Sequence, residues 1–174
     1  MPDIARVERL EVRVGGLSRS QLLSKLSSRG ILVNGHAETL LKDVVFDDQA
    51  ARPVAVTERT VAELGLDCGA TLPQIFEVAR QQGLLLCPMD TGPYLRMALN
   101  EQVTSSDSVM SSGRAPDGAL TVASEALSRD DDYPKGFYLR VVDGQAWLRG
   151  YRCDDEHTWS PDDRFIFQLP PLPA

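Results

Sequence analysis

Carboxylates and an imidazole gather near the C-terminus, in Asp154-Asp155-Glu156-His157 with Asp162-Asp163 close behind. These are the usual oxygen and nitrogen donors of metal centres and of general acid–base pairs. Their spacing suits neither. A calcium loop needs alternating carboxylates and a turn glycine, and a zinc-protease helix needs histidines on successive turns. The run therefore reads as a solvated acidic turn between two strands, and no metal ligand or cofactor is assigned. The following segment, His157 to Arg164, reads as a structural corner. Trp159 should be buried, Ser160 should open a turn at Pro161, and Arg164 should pair with a nearby carboxylate.

Nucleophilic catalysis requires a cysteine or serine with a base in hydrogen-bond reach. Only His36 and His157 could be that base, and no Gly-x-Ser-x-Gly elbow occurs. Cys87 follows Leu84-Leu85-Leu86 and precedes Pro88, which marks it as a buried residue at a strand end. The phosphate-loop pattern is absent, and Gly15-Gly16 reads as a turn between a strand and a helix. No catalytic residue is assigned. The expectation is a non-catalytic module that binds a protein or other ligand, with an enzyme built from scattered residues as one alternative and an RNA-binding module as another.

Composition bounds these readings. At 174 residues and 43% hydrophobic, the chain can bury a full core as one compact domain. Eighteen basic against 25 acidic residues give a net charge of −7, which repels a phosphate backbone unless cations are segregated on one face. Nucleic acid is thereby disfavoured. Cys68, Cys87 and Cys153 are odd in number and far apart, so they form neither a disulfide framework nor a paired zinc motif. The N-terminus carries no signal-peptide pattern, and no apolar run is long enough to span a bilayer. A cytoplasmic protein of a bacterium-like cell is expected, without membrane partners, as a monomer or homodimer.

The elements that must position any site follow from local signals. Ser18-Arg19-Ser20-Gln21 and Thr71-Leu72-Pro73-Gln74 are both capping boxes, in which a hydroxyl caps a helix and a glutamine reaches back to the cap amide. Each opens an apolar stripe at helical spacing, Leu22, Leu23 and Leu26 or Ile75, Phe76 and Ala79. Each helix should stop at a glycine, Gly30 or Gly83, and run into Ile31-Leu32-Val33 or Leu84-Leu85-Leu86. The offset between the two units is 53 residues throughout. Strands are expected at Val7–Val14 and Val54–Val61, and second helices at His36–Lys42 and Pro93–Asn100. A duplicated strand and helix-pair half over residues 6–102 explains the pattern. Chance agreement of cap and stop signals explains it too, and both remain open.

Residues 103–118, rich in serine and turn formers, read as a mobile loop. Residues 119–169 read as an antiparallel β-sheet that completes an α+β fold. Eight of the eleven aromatic residues lie between Tyr133 and Phe167. Two strand-like runs, Gly136–Val142 and Gln145–Tyr151, flank Asp143-Gly144, the dipeptide of a type I′ hairpin turn. Further strands are expected at Ala119–Ala123 and Arg164–Gln168. Arginines alternate with aromatics along the hairpin, and cross-strand neighbours share faces. Arginine, tryptophan and tyrosine are enriched at interface hot spots. Arg140, Arg149, Tyr151 and Trp159 are therefore the candidate partner-binding residues, for a protein or a small anionic ligand. The competing reading puts the aromatics in the core and the arginines in cross-strand ion pairs.

Two resemblances add to this. Ser18–Leu26 with Gly30-Ile31-Leu32-Val33-Asn34-Gly35 resembles the S4 RNA-binding motif, over about 18 residues. The resemblance implies that Arg19, Lys25, Arg29 and Asn34 would face RNA phosphates. Gly83-Leu84-Leu85-Leu86-Cys87-Pro88, Gly136–Arg140, Trp147–Tyr151 and Trp159–Phe165 together resemble a group of small uncharacterised bacterial proteins. Some of those are labelled helicase, an activity that requires a nucleotide-binding loop and several hundred residues. This resemblance implies no activity, cofactor or catalytic residue.

Overall fold

A computed structural model describes residues 7–47, 50–99, 104–105 and 119–171. In chain order the elements are β1 (Leu10–Val14), α1 (Arg19–Ser28), β2 (Leu32–Val33), α2 (Gly35–Leu41), β3 (Arg52–Thr60), β4 (Ala70–Thr71), α3 (Leu72–Gln81) and α4 (Thr91–Ala98). These are followed by β5 (Thr104–Ser105), β6 (Leu120–Val122), β7 (Gly136–Val142), β8 (Gln145–Tyr151), β9 (Thr158–Trp159) and β10 (Arg164–Gln168). The fold is α+β.

Both expected capping boxes form. Gln21 N–H donates to Ser18 Oγ at 3.2 Å while Gln21 Oε1 accepts from Ser18 N–H at 2.9 Å. Gln74 and Thr71 repeat the exchange at 3.4 and 2.9 Å. Both helices also stop in the same way. Ile31 N–H bonds Leu26 O and Gly30 N–H bonds Ser27 O, and Leu84 and Gly83 make the corresponding bonds to Ala79 and Arg80. This is the Schellman closure, which needs a left-handed residue after the cap. Gly30 at φ +72° and Gly83 at φ +84° supply it. A strand, a helix, an extended run and a second helix thus occur in the same order in both halves, although the partners of the extended runs differ.

The strands expected in a separate C-terminal antiparallel sheet join those of the N-terminal half in one mixed sheet, ordered β1-β3-β10-β6-β7-β8-β2, with β5 pairing β7. Two predictions are corrected here. First, β10 lies antiparallel to β3 but parallel to β6. Second, Thr104 and Ser105, expected in a loop, pair in parallel with Val141 and Val142; the rest of that predicted loop, residues 103 and 106–118, lies outside the described residues. The hairpin is as expected, with Asp143 at φ +50° and Gly144 at φ +78°, both positive as a type I′ turn requires.

Each face of the sheet is covered. On one side Phe137, Leu139, Leu148 and Ile166 pack with Leu22 and Leu26 of α1, Leu40 and Leu41 of α2, and Leu95 of α4. On the other, Tyr138, Tyr151, Phe165 and Phe167 pack with Ile75 and Ala79 of α3 and with Trp159. Burial on both faces explains why β7 reads as nearly continuous apolar sequence. A fully buried leucine or isoleucine contributes roughly 2 kcal/mol, so Leu22 and Leu26 suffice to dock α1 although Leu23 is exposed.

Long-range polar contacts lock the layers. Glu58 of β3, 4% exposed, receives Arg164 Nε and Nη2 at 2.6 and 2.9 Å, a bidentate pair between β3 and β10. Arg164 therefore has its expected carboxylate. The surrounding corner also forms as expected: Trp159 is buried, Ser160 N–H donates to Asp163 Oδ2, and Asp162 N–H donates to Ser160 Oγ. Trp159 meets Tyr151 and Phe165 edge-on, with ring centroids 5.5 and 5.0 Å apart.

Candidate functional site

The hairpin register settles where the predicted binding residues go. Tyr138 stands opposite Arg149, and Arg140 opposite Trp147. With the alternation along each strand, Tyr138, Arg140, Trp147, Arg149 and Tyr151 share one face. That face is not open to solvent along its length. Arg140 is 0% and Tyr151 4% exposed, and Trp159 is a core residue. Arg149 is half-buried, with its guanidinium 4.2 Å from the centre of the Trp147 ring. Of the candidate partner-binding residues, Arg140, Tyr151 and Trp159 are thus buried, Trp159 as the corner reading expected, because each face of the sheet is covered where they lie, and Arg149 is half-buried.

The S4-like positions divide similarly. Arg19 donates to Lys42 O and lies 3.5 Å from Asp47, and Arg29 donates to Met97 O at 3.3 Å. Asn34 caps α2 by accepting from Ala37 N–H at 2.8 Å and brackets Gly150 through two further bonds, of 2.9 and 3.1 Å. Lys25 is exposed on α1. The acidic turn holds itself together: Asp154 Oδ1 accepts from the backbone N–H groups of Glu156 and His157. His36, near the start of α2, has its pKa held below the ordinary value by burial, with Arg152 adding to the effect. Cys87 is buried, and burial pushes its thiol pKa far up.

A different region gathers side chains around open space. After α3 the chain turns at Gly83, and the 84–88 segment is pinned at two points. Leu85 exchanges both backbone bonds with Gln168 at the end of β10, and Cys87 N–H donates to Ala123 O just past β6. Between α3 and the residues following β6 lies a cleft of about 380 Å³, floored by Leu72, Phe76 and Leu86 and walled by Ser124, Lys135 and Asp155. On the other side of Leu86 a second cleft, of about 550 Å³, is lined by Val45, Met89 and Leu127 with Arg52 and Asp90. The two share Leu86, Glu125 and Ala126, so they adjoin across these residues as a two-part groove.

Charge along this groove is mostly paired off. Arg52 Nη2 and Nη1 grip the carboxylate of buried Asp90 at 2.8 and 3.2 Å. Lys135, 7% exposed, holds its ammonium 3.4 Å from Asp131. Arg80 and Glu77 are neighbours one turn apart on α3, both exposed. Cys153 lies within the field of this cluster. Burial pushes its thiol up to about 11, with Asp154, Asp155 and Asp131 adding and Lys135 opposing. The Ser124 hydroxyl, 3% exposed, has no hydrogen-bond partner among the described residues. A buried hydroxyl left unpaired costs stability. Concave apolar surface with a few convergent polar groups is the usual character of a binding site.

The groove was not legible in the sequence because its walls come from stretches far apart along the chain, from Val45 to Asp155. One signal was present: Leu86, Cys87 and Pro88, which line it, belong to the Gly83–Pro88 motif that carried a family resemblance. Among the described residues, no cluster of three histidine, cysteine, aspartate or glutamate side chains is arranged as metal ligands, and no helix is long and apolar enough to cross a membrane. Compared with protein-family models, curated proteins and solved structures, the chain matches none.

Proposed function

We propose that this protein is a non-catalytic binding module whose binding face is the groove between α3, the 84–88 segment and residues 124–127. The observation that carries this reading is the adjacency of two clefts that share Leu86, Glu125 and Ala126 and are lined largely by apolar surface. Most of the predicted hairpin residues are committed to the interior, whereas the groove presents apolar surface to whatever enters. The engagement of Arg19, Arg29 and Asn34 in the protein's own contacts weighs the same way, since they are not free to face phosphates without breaking those bonds.

Site-specific photocrosslinking in intact cells of the native host tests this. A photoreactive residue is placed in turn at Ala126 in the groove, at Trp147 on the hairpin and at Ser24 on exposed α1, with and without nuclease treatment of the products. Discrete, nuclease-resistant adducts from position 126 alone are expected. Adducts from position 147 alone would return the binding face to the hairpin, and nuclease-sensitive adducts from position 24 would favour RNA.

A further inference from the structure

We infer that the outer edge of β1 is an interface between two copies of this chain, whose β1 strands pair antiparallel about a two-fold axis at Val12. β1 ends the path of the large sheet and pairs with β3 alone, so among the described residues no strand lies against its other edge. At the opposite end of the path, β2 has two residues, whereas β1 has five. An open strand edge is a row of backbone donors and acceptors ready to pair with another chain. Proteins blunt such edges by keeping them short or by placing proline or charge on them, and β1 is neither short nor interrupted by proline. Charge remains, and on β1 it is arranged to match a copy of itself.

Val12 and Val14 are buried in the core that α1, α2 and α4 share with the sheet, and Leu10 packs partly against it. Strand alternation puts Glu11 and Arg13 on the other face, where both are exposed. Neither has an ion-pair partner among the described residues. A two-fold axis perpendicular to the sheet keeps each face on its own side and makes the contact isologous. Centred on Val12, it sets Leu10 against the second copy's Val14 and Glu11 against the second copy's Arg13. Symmetry repeats each contact, so two opposite-charge pairs form and all five residues of β1 are paired. A two-residue slip one way sets Glu11 against Glu11, and the other way Arg13 against Arg13. Like charges directly opposite are unfavourable, so the side chains select the register that uses the whole strand. This self-complementarity is what commits the edge to a second copy rather than to an unrelated strand.

The dimer is a weak one. Five residues of strand extend only about 17 Å, too little edge to reach the roughly 1,200 Å² of a stable interface. Two chains of net charge −7 also repel at long range. Sedimentation equilibrium of the full chain at concentrations up to about 1 mM tests the pairing with Glu11→Arg, Arg13→Glu, the double variant Glu11→Arg/Arg13→Glu, and an equimolar mixture of the two single variants. Both positions are exposed, and thermal melts matching wild type show that each variant is folded. Either single variant replaces two attractive pairs by two repulsive ones and should weaken self-association by about tenfold or more. The double variant restores both pairs with the charges exchanged, and the mixture restores them between unlike chains, so both should associate as wild type does.

A wild type that stays monomeric over this range overturns the inference. So does a dimer that either single variant leaves intact, because the contact then lies elsewhere. Loss of association in the double variant and in the mixture as well as in the single variants would refute the Glu11–Arg13 register. Stronger association of Glu11→Arg than of wild type would show that net charge, not strand pairing, governs the contact, since this substitution makes the chain less negative.

Discussion

Replacing Asn34 by alanine should destabilise the protein by about 3 kcal/mol, and the structure supplies each part of that figure. The side-chain oxygen caps α2 through Ala37 N–H at 2.8 Å, and losing such a cap costs about 1 kcal/mol. The same oxygen accepts from Gly150 N–H at 2.9 Å, and the side-chain amide donates to Gly150 O at 3.1 Å. Each of these partly buried bonds contributes about 1 kcal/mol. For a chain of this size the total lowers Tm by roughly 9 °C. Urea denaturation followed by circular dichroism measures it, with the midpoint falling at constant slope. Asn34→Asp keeps both acceptor bonds and turns the donor into a second acceptor facing Gly150 O, so it should fall between wild type and alanine. A loss below about 1 kcal/mol for Asn34→Ala would refute the bracket as a stabilising device. If Asn34 instead served RNA, as its S4-like position implies, the alanine variant would lose RNA affinity while its stability stayed near wild type.

Two further outcomes follow from the same neighbourhood. A methyl group added at Gly150 would stand 2.7 Å from the His36 carbonyl carbon and 2.8 Å from Ala37 N, both backbone atoms. Gly150→Ala must therefore push α2 off β8, at about 3 kcal/mol in the same denaturation assay; a change within error would mean that α2 can slide without cost. His36 is held below its ordinary value of 6.5 by burial and by Arg152. The folded chain favours its neutral form, so its contribution is complete above that value and is lost as pH falls toward the folded-state pKa. Stability should decline on acidification through this window in wild type and decline less in His36→Gln. Identical slopes in the two proteins would refute the assignment.

The parts of this structure that were legible in the sequence are those closed by neighbours in the chain. The two capping boxes, the two glycine stops and the Asp143-Gly144 turn each depend on hydrogen bonds or dihedral angles spanning at most a few residues, and residue type fixes these locally. The corner from Trp159 to Arg164 was legible for the same reason, except for the identity of the carboxylate that receives Arg164. That partner, Glu58, lies 106 residues away in sequence. The groove was not legible: α3, the 84–88 segment, the residues after β6, and Lys135 with Asp155 come together only through the packing of the sheet.

By itself, then, the sequence determined the capped helices, their glycine stops and the hairpin turn, because turn chemistry and capping act over a few residues. Tertiary structure decided which strands share the sheet, that β6 and β10 run parallel, and that Arg140 and Tyr151 face inward while Glu125 and Asp155 stay at an open rim. A residue's type states what it can bond to. Whether it meets solvent, a partner or the core depends on which distant segment covers it, as Asn34 and Gly150 show across 116 residues of chain.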